Sequence, residues 1–505
     1  MKKLLAALLL AACAALPAPL PRKPKLVVMI TVDQFRQDYL TRFRAEYKGG
    51  LDRLLKEGAV FTNARYEHFP TVTAIGHATI LTGATPSISG IIGNDWYDRE
   101  EGRTVTSVSD PTVKLLGAEG TGASPRRLLP SALGDELKMA GNGKPRVIGI
   151  SLKDRGAILP AGHSANGAYW FDAKSGNFAS STFYFADLPA WVKDFNASRP
   201  ADQYRGAAWL DHKLPDIPGK LYASIAESPF GNDILLAMVE RTVQAEQLGK
   251  RDVTDLLSVS FSANDYVGHH YGPDSPEVRE VSIRTDAMLD RFFRFLDTQV
   301  GMANVLVVLT GDHGVSPTPE AEAARRMPGG RMPKGIVQDT VQTALVKKFG
   351  EGKWILSPSE HSLYLNVDLI RAKNLDRAEV NRVAAQAALE VPHVFRVYTR
   401  ERLMDGAALE DQVGRRVMNG FYVRRSADVH ILLEPYWMFS ASGTTHGTTF
   451  SYDAHVPLVF MGAGIRPGRY FNAVGPHDIA PTLAAILEVE TPSGSVGRVL
   501  DEMFQ

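Results

Sequence analysis

Three aspartates and three histidines close or follow apolar runs along this chain. Asp33 ends "KLVVMITVD", and Asp312 and His313 follow "NVLVVLTG". Asp265 and His269 stand four apart in "NDYVGHHYG", a spacing at which one helical turn aims both side chains at a common point. His446 sits in "TTHGTT", a loop of Gly and Thr. Together they are the nitrogen and oxygen ligand set that zinc takes, and no thiolate competes, since the one cysteine is Cys13. Taken singly, a strand-end Asp is usually a turn or cap residue and a lone His is usually hydrogen-bonded structure. The recurrence at several strand ends gives the six their weight, although spacing alone does not sort them into sites.

A second cluster is "PTVTAIGHATILTG", four threonines within Pro70–Gly83. A threonine hydroxyl is almost fully protonated near neutral pH and becomes a nucleophile only when a neighbouring base or cation favours its alkoxide. Lys153 and Arg155 in "SLKDR" are two apart, so on an extended segment their side chains point the same way, as an anion-binding pair would. A solvated basic pair after a strand is the plainer reading. Asn94 in "GNDW" is a turn residue or an amide donor.

The elements that must position these groups are short runs rich in Val, Ile and Leu: "KLVVMITV", "PRVIGIS", "DLLSVSF" and "NVLVVLT". Without polar alternation they predict strands buried on both faces. Helical stretches lie between and after them, at Asn232 to Leu248, Ser275 to Thr298 and Ile479 to Leu487. The alternation predicts an α/β fold with a mainly parallel central sheet flanked by helices. Ligands of such sheets bind beyond the carboxyl ends of the strands, where this chain puts its acids and histidines. Residues of about 95–144 and 317–438 fit the alternation less well and are expected as cap-like insertions above the strand ends. In "GHSANGAYWFD", Tyr169 and Trp170 are expected either at the pocket mouth or in the core.

The chain has 505 residues, of which 44% are hydrophobic and 22% charged, with 56 basic and 56 acidic side chains. That is an ordinary globular composition, and no global field draws it to nucleic acid or a membrane surface. Residues 1–22 read as an export signal with a Pro-rich start: Lys2 and Lys3, then a short apolar run, then small residues. Cys13 in "LAAC" is either lipidated or removed with the signal; in both cases it cannot form an internal disulfide. Residues 23–505 are expected as a single catalytic domain. The sequence gives no reading of oligomeric state.

Five stretches carry a family resemblance: "PTVTAIGHATILTGATPSISGIIGNDWYD", "SLKDR", "NDYVGHHYGPDS", "LTGDHGV" and "THGTTFSYDAHVPLVFMG". In this order they resemble the alkaline phosphatase superfamily, and within it bacterial zinc-dependent alkaline phosphatases with a threonine nucleophile, relatives of the nucleotide pyrophosphatases/phosphodiesterases. The resemblance implies an alkaline-phosphatase-like fold and two zinc ions per chain. It implies Thr73 as nucleophile, one zinc held by Asp33, Asp312, His313 and Thr73, and another by Asp265, His269 and His446. It also implies that Asn94, Lys153 and Arg155 bind the phosphoryl group of a small phosphate monoester. The Lys-x-Arg pair is not expected in the phosphodiesterase branch. A sulfatase would need a Cys/Ser-x-Pro-x-Arg motif, whereas Thr73 is followed by Ala-Ile-Gly. An exported chain is also unlike the cytoplasmic serine- and manganese-dependent phosphoglycerate mutases. An inactive zinc or phosphate binder would show eroded ligands, and none is eroded. His77, His270 and His455 are expected to support the site or pack beside it, and Thr71, Thr79 and Thr82 to serve as structural hydrogen-bonders.

Overall fold

The structure is a computed structural model that describes residues 23–356, 359–407 and 411–504. The leader, Cys13 included, lies outside the described residues. A central sheet of 11 strands runs through the molecule. Its heart is five adjacent parallel strands, Val305–Thr310, Leu26–Val32, Asp255–Phe261, Val147–Ser151 and Gly167–Asp172. His455–Gly462 lies antiparallel between Val305–Thr310 and Ala59–Arg65, so the sheet is mixed.

The apolar runs explain this core. All seven residues of Leu26–Val32 are buried. Successive side chains of a strand point to opposite faces. Leu26, Val28, Ile30 and Val32 accordingly join one apolar cluster, while Val27 and Met29 join another. The first cluster takes in the helices Pro229–Ala245 and Pro276–Gln299, and the second takes in Leu133–Ala140 and Ile479–Leu487. Pro276–Gln299 starts where the sequence signals it: Ser275 accepts a hydrogen bond from the Val278 N–H, and Pro276 occupies the first turn.

Register decides where the chemistry goes. Val32 pairs with Phe261, Thr31 with Thr310 and Ser260 with Ser151. Four strands therefore end at one level, and Asp33, Asp265, Asp312 and Lys153 all follow within a few residues.

The two irregular stretches differ from each other. Pro317 to Met438 contains a three-stranded antiparallel sheet, Ser362–Leu363, Val429–Leu433 and Val394–Thr399. Helices Ile336–Phe349 and Arg377–Leu389 share a separate apolar core with it, in which Trp354 is fully buried. Residues 95–144 are divided. The hairpin Asp95–Asp98 and Arg103–Thr106 stands beside the site, whereas Ser109–Leu116 and Thr121–Ala123 extend the edge of the central sheet. Leu133–Ala140 packs against the sheet. That edge was illegible because its strands are polar and Gly-rich. Tyr169 and Trp170 both belong to the packed core.

Candidate active site

Thr73 opens the helix Thr73–Thr82, in which every residue is buried. Gly76 lets this helix press against the loop after Val305–Thr310: a Cβ there would stand 2.2 Å from the Asp312 carbonyl oxygen. The close approach brings the Thr73 hydroxyl to 3.3 Å from His313 Nε2. The other three threonine hydroxyls donate to backbone carbonyls, Thr71 to Thr448, Thr79 to Ala84 and Thr82 to Ala78. Of the four, Thr73 alone faces the acid and histidine cluster.

The six acids and histidines form two triads, Asp33, Asp312 and His313, and Asp265, His269 and His446, the ligand atoms of each lying within 4.8 Å of one another. The triads adjoin. The His313 and His446 rings stack with centroids 3.6 Å apart. The Lys153 ammonium spans them, 2.7 Å from Asp33 Oδ2 and 2.5 Å from Asp265 Oδ2.

The donor sets fit cations. Each imidazole turns Nδ1 to a backbone carbonyl, His269 to Thr444 at 2.8 Å, His313 to Gly314 at 2.9 Å and His446 to Thr71 at 2.9 Å. The carbonyls fix the Nδ1–H tautomer and leave Nε2 lone pairs facing inward, the outer-sphere arrangement of metal-ligating histidines. The Nε2 atoms of His269 and His446 lie 3.2 Å apart; burial lowers the His269 imidazole, but Asp265, 3.2 Å from its Nε2, raises it above the ordinary value. Asp33 Oδ1 is buried without a hydrogen-bond partner, and burial with Asp312 nearby pushes its carboxyl up to about 8. Burial also pushes Asp265 up, but Lys153 and His269 pull it well below the usual carboxylate range. His446 is held well below the ordinary imidazole value by burial and by His313 and His269. Imidazole nitrogens beside carboxylates suit zinc better than calcium or magnesium, which prefer all-oxygen sites.

One residue that sequence reading passed over, Gln34, joins the two triads. Gln34 has a left-handed backbone, φ 61°, and is buried. Its N–H donates to Asp312 Oδ1 at 3.0 Å and its side-chain amide to Asp265 Oδ1 at 2.6 Å, tying the triads together. The signal was Gly268: a Cβ there would meet Gln34 Oε1 at 1.8 Å. His77 places Nδ1 2.8 Å from the Thr73 carbonyl and 3.3 Å from Asp312 Oδ2, and Nε2 2.8 Å from Ser260 Oγ. His270 instead packs on Tyr271, and His455 bonds the Thr62 carbonyl.

Asn94 Oδ1 accepts the Ala74 N–H at 2.8 Å, which commits the amide oxygen and leaves the amino group as the donor. Arg155 lies in the first turn of the helix Asp154–Ala161, which Lys153 precedes, with its Nε buried and unpartnered. A cavity of about 350 Å³ begins at Asn94 and His446 and runs under the 317–438 lobe.

Two adjoining metal-ligand triads and a buried threonine over the carboxyl ends of a mixed sheet define a member of the alkaline phosphatase superfamily. The model of the type I phosphodiesterase / nucleotide pyrophosphatase family matches residues 27–455, and the chain belongs to that family. It is 36% identical to alkaline phosphatase PhoV of Synechococcus elongatus over 96% of this chain and 93% of that protein. It is 37% identical to a Myroides odoratus protein named a calcium-transporting ATPase, over 96% and 95%. The crystal structure of wild-type alkaline phosphatase PafA superposes with a TM-score of 0.88 at 36% identity, covering 96% of this chain and 99% of that one. A PafA variant substituted at one threonine, one asparagine, one lysine and one arginine superposes with a TM-score of 0.90 at 35% identity, over 96% and 99%.

Proposed function

We propose that this protein is an exported, zinc-dependent phosphomonoesterase that hydrolyses small phosphate monoesters through a phosphothreonine at Thr73. The observation that carries the reading is the Thr73 hydroxyl beside the first triad, with Lys153 paired to Asp33 of that triad and the Asn94 amide bonded to the residue after Thr73. The alkaline phosphatase relatives support it, and the PafA variant is altered at the same four residue types.

When bound, two zinc ions would supply the positive charge that stabilises a deprotonated hydroxyl and a leaving oxygen. Asp33, Asp312 and His313 would hold one, and Asp265, His269 and His446 the other. The chain's own groups do the rest. His77 and Asn94 fix the first turn of the helix, so the Thr73 oxygen meets phosphorus in line. Asn94 donates its amino group to a phosphoryl oxygen. Lys153 and Arg155 balance a monoester dianion, which carries more unshared charge than a diester. Thr73 displaces the alcohol, and water entering from the opposite side then releases phosphate and restores the hydroxyl.

The Lys2–Lys3 start and apolar run support export to a bacterial periplasm, with Cys13 as a lipid anchor if retained. Among the described residues, no helix is long and apolar enough to cross a membrane. The deciding experiment compares an aryl phosphate with its methyl diester on zinc-loaded and chelated protein. Chelation should abolish monoester turnover and zinc restore it. Faster diester than monoester turnover would assign the chain to the phosphodiesterase side of its family. Full activity in verified metal-free protein would remove the two-metal reading.

A further inference from the structure

A second cavity, of about 330 Å³, shares no lining residue with the cavity at Asn94 and His446. The two adjoin at Trp96 and Tyr364, which wall the first. The Arg127 and Arg425 guanidinium carbons lie 5.8 and 5.5 Å from the Trp96 centroid, and that of Arg99 lies 4.8 Å from the Tyr364 centroid. All three arginines line the second cavity. Arg126 and Arg424 bring its guanidinium groups to five, against the three carboxylates of Asp98, Glu100 and Glu101.

Pairing sharpens the excess. Arg99 meets Asp428 at 2.9 Å, Arg126 meets Asp110 at 3.0 Å, and Arg127 meets Glu101 at 2.5 Å and Asp98 at 3.3 Å. Among the described residues, neither Arg424 nor Arg425 has a carboxylate partner. Arg424 is exposed, as is Glu100, whose carboxylate pairs with no cation among them. Arg425 is half-buried and held in place. Its Nη1 donates to the Gly90 and Arg127 carbonyls at 2.6 and 2.7 Å, and its own carbonyl accepts the Tyr364 hydroxyl at 2.9 Å. Burial lowers its pKa from the ordinary guanidinium value, and the Arg127 charge lowers it further. The Arg127 side chain is only 5% exposed, and its Nε is buried and unpartnered. A partly buried cation without a counter-charge is costly until an anion meets it.

We propose that this cavity is a second anion site, separate from the two triads, which takes a compact oxyanion of two or more negative charges, such as inorganic phosphate, between Arg424 and Arg425. Guanidinium forks match the oxygens of such an anion. The carbonyl contacts of Arg425 fix its fork beforehand, so little side-chain freedom is lost on binding. Because Arg425 also lies over Trp96, an anion there is felt at the wall of the first cavity.

The test uses protein stripped of metal by a chelator and dialysed free of it, so that the triads present carboxylates without their cations. Equilibrium dialysis should find phosphate bound with a Kd of about 1 mM or tighter. Sulfate should displace it, and chloride at the same ionic strength should not. Arg425→Gln should weaken phosphate about tenfold or more. Arg424→Gln alters an exposed side chain, so it should weaken phosphate several-fold without moving the unfolding temperature. Arg155→Ala, beside the first triad, should leave this binding unchanged. Phosphate should also change the tryptophan emission, and Trp96→Phe should remove that change while phosphate still binds. No phosphate on metal-free protein, displacement by chloride as effective as by sulfate, or a Kd that Arg424→Gln does not move overturns the proposal. An emission that phosphate leaves unchanged, or a change that survives Trp96→Phe, places the anion elsewhere and overturns it too. None of these measurements reads turnover, so the anion site stands or falls apart from the phosphomonoesterase reading.

Discussion

At the scale of single residues, Thr73, Lys153 and Arg155 separate by what each touches. Thr73 has no strong base against it; its neighbour is His313 Nε2, in one of the two triads that could hold a cation. Thr73→Ala should therefore abolish the acid-stable phosphoenzyme and most turnover, while Thr73→Ser keeps a measurable part of both. Phosphate labelling at low pH followed by peptide mapping checks this, and label on another residue would disprove the assignment. Lys153 is buried between Asp33 and Asp265, and these carboxylates hold its ammonium pKa up against burial. Lys153→Ala leaves both acids without their cation, so it should change metal affinity as well as rate. Arg155 touches no triad carboxylate; the nearest acid is Asp154 at 3.8 Å. Arg155→Ala should therefore be the cleaner probe of phosphoryl binding. One charge-assisted hydrogen bond is worth roughly 1.5–3 kcal/mol, or on the order of 10- to 100-fold in monoester kcat/KM. Diester turnover should fall much less. Equal losses on matched aryl substrates, at verified zinc content, would show that Arg155 supports the fold instead of the dianion.

At the scale of elements, the sequence was legible where burial left one interpretation. The apolar runs before Asp33, Lys153, Asp265 and Asp312 are strands because Val, Ile and Leu without alternation suit a sheet covered on both faces. Ile479–Leu487 and Pro276–Gln299 match the expected limits to within one residue, while the helix expected at Asn232 to Leu248 is displaced to Pro229–Ala245. The polar edge strands carried no such pattern, nor did Gln34, whose part depends on a left-handed backbone and on the space beside Gly268. Two predictions belong to this scale. Gly76→Ala puts a methyl group into the Asp312 carbonyl; forcing the helix away should cost about 1–3 kcal/mol of stability and weaken zinc binding. Unchanged zinc titration would show that the close approach does not position the triad. The second concerns Asp453, buried in the short helix Ser451–Ala454, whose Oδ2 accepts the N–H and hydroxyl of Thr448 near His446. Burial pushes its carboxyl up to about 7. The folded value exceeds an unfolded value near about 4. The group's stabilisation is thus complete below the unfolded value and lost as pH rises through about 7. Asp453→Asn keeps an acceptor for Thr448 and should raise Tm at about pH 8 by a few degrees. The gain should shrink as pH falls towards about 4. A constant offset across that range would show that Asp453 does not titrate in the folded protein.

At the scale of the whole molecule, the site is a concentration of like charge at the meeting of several long-range elements. Asp33, Asp265 and Asp312 are buried within one cluster, and among the described residues Lys153 is the one lysine or arginine paired with the first two. They follow three different strands, and His446 comes from a distant loop whose Thr448 carbonyl is tied to Thr71. Charge neutralised there therefore holds together the central sheet, the Thr73 helix and the 444–449 loop. A ligand bound only by the folded state stabilises it by RT ln(1 + [L]/Kd), about 2.7 kcal/mol for each site at a hundredfold excess over Kd. Two zinc ions should consequently raise the unfolding temperature by several degrees, and chelation should reverse the rise. His446→Ala removes a ligand from one triad and leaves the other complete, so it should retain part of the zinc-dependent increment, whereas Asp33→Ala should retain the part due to the other triad. Calorimetry of zinc-loaded, chelated and reloaded protein, with metal content measured in each sample, checks the ordering. An unfolding temperature unmoved by verified loss of both ions would mean that the two triads are satisfied without metal, and the chemistry proposed for Thr73 would lose its physical basis.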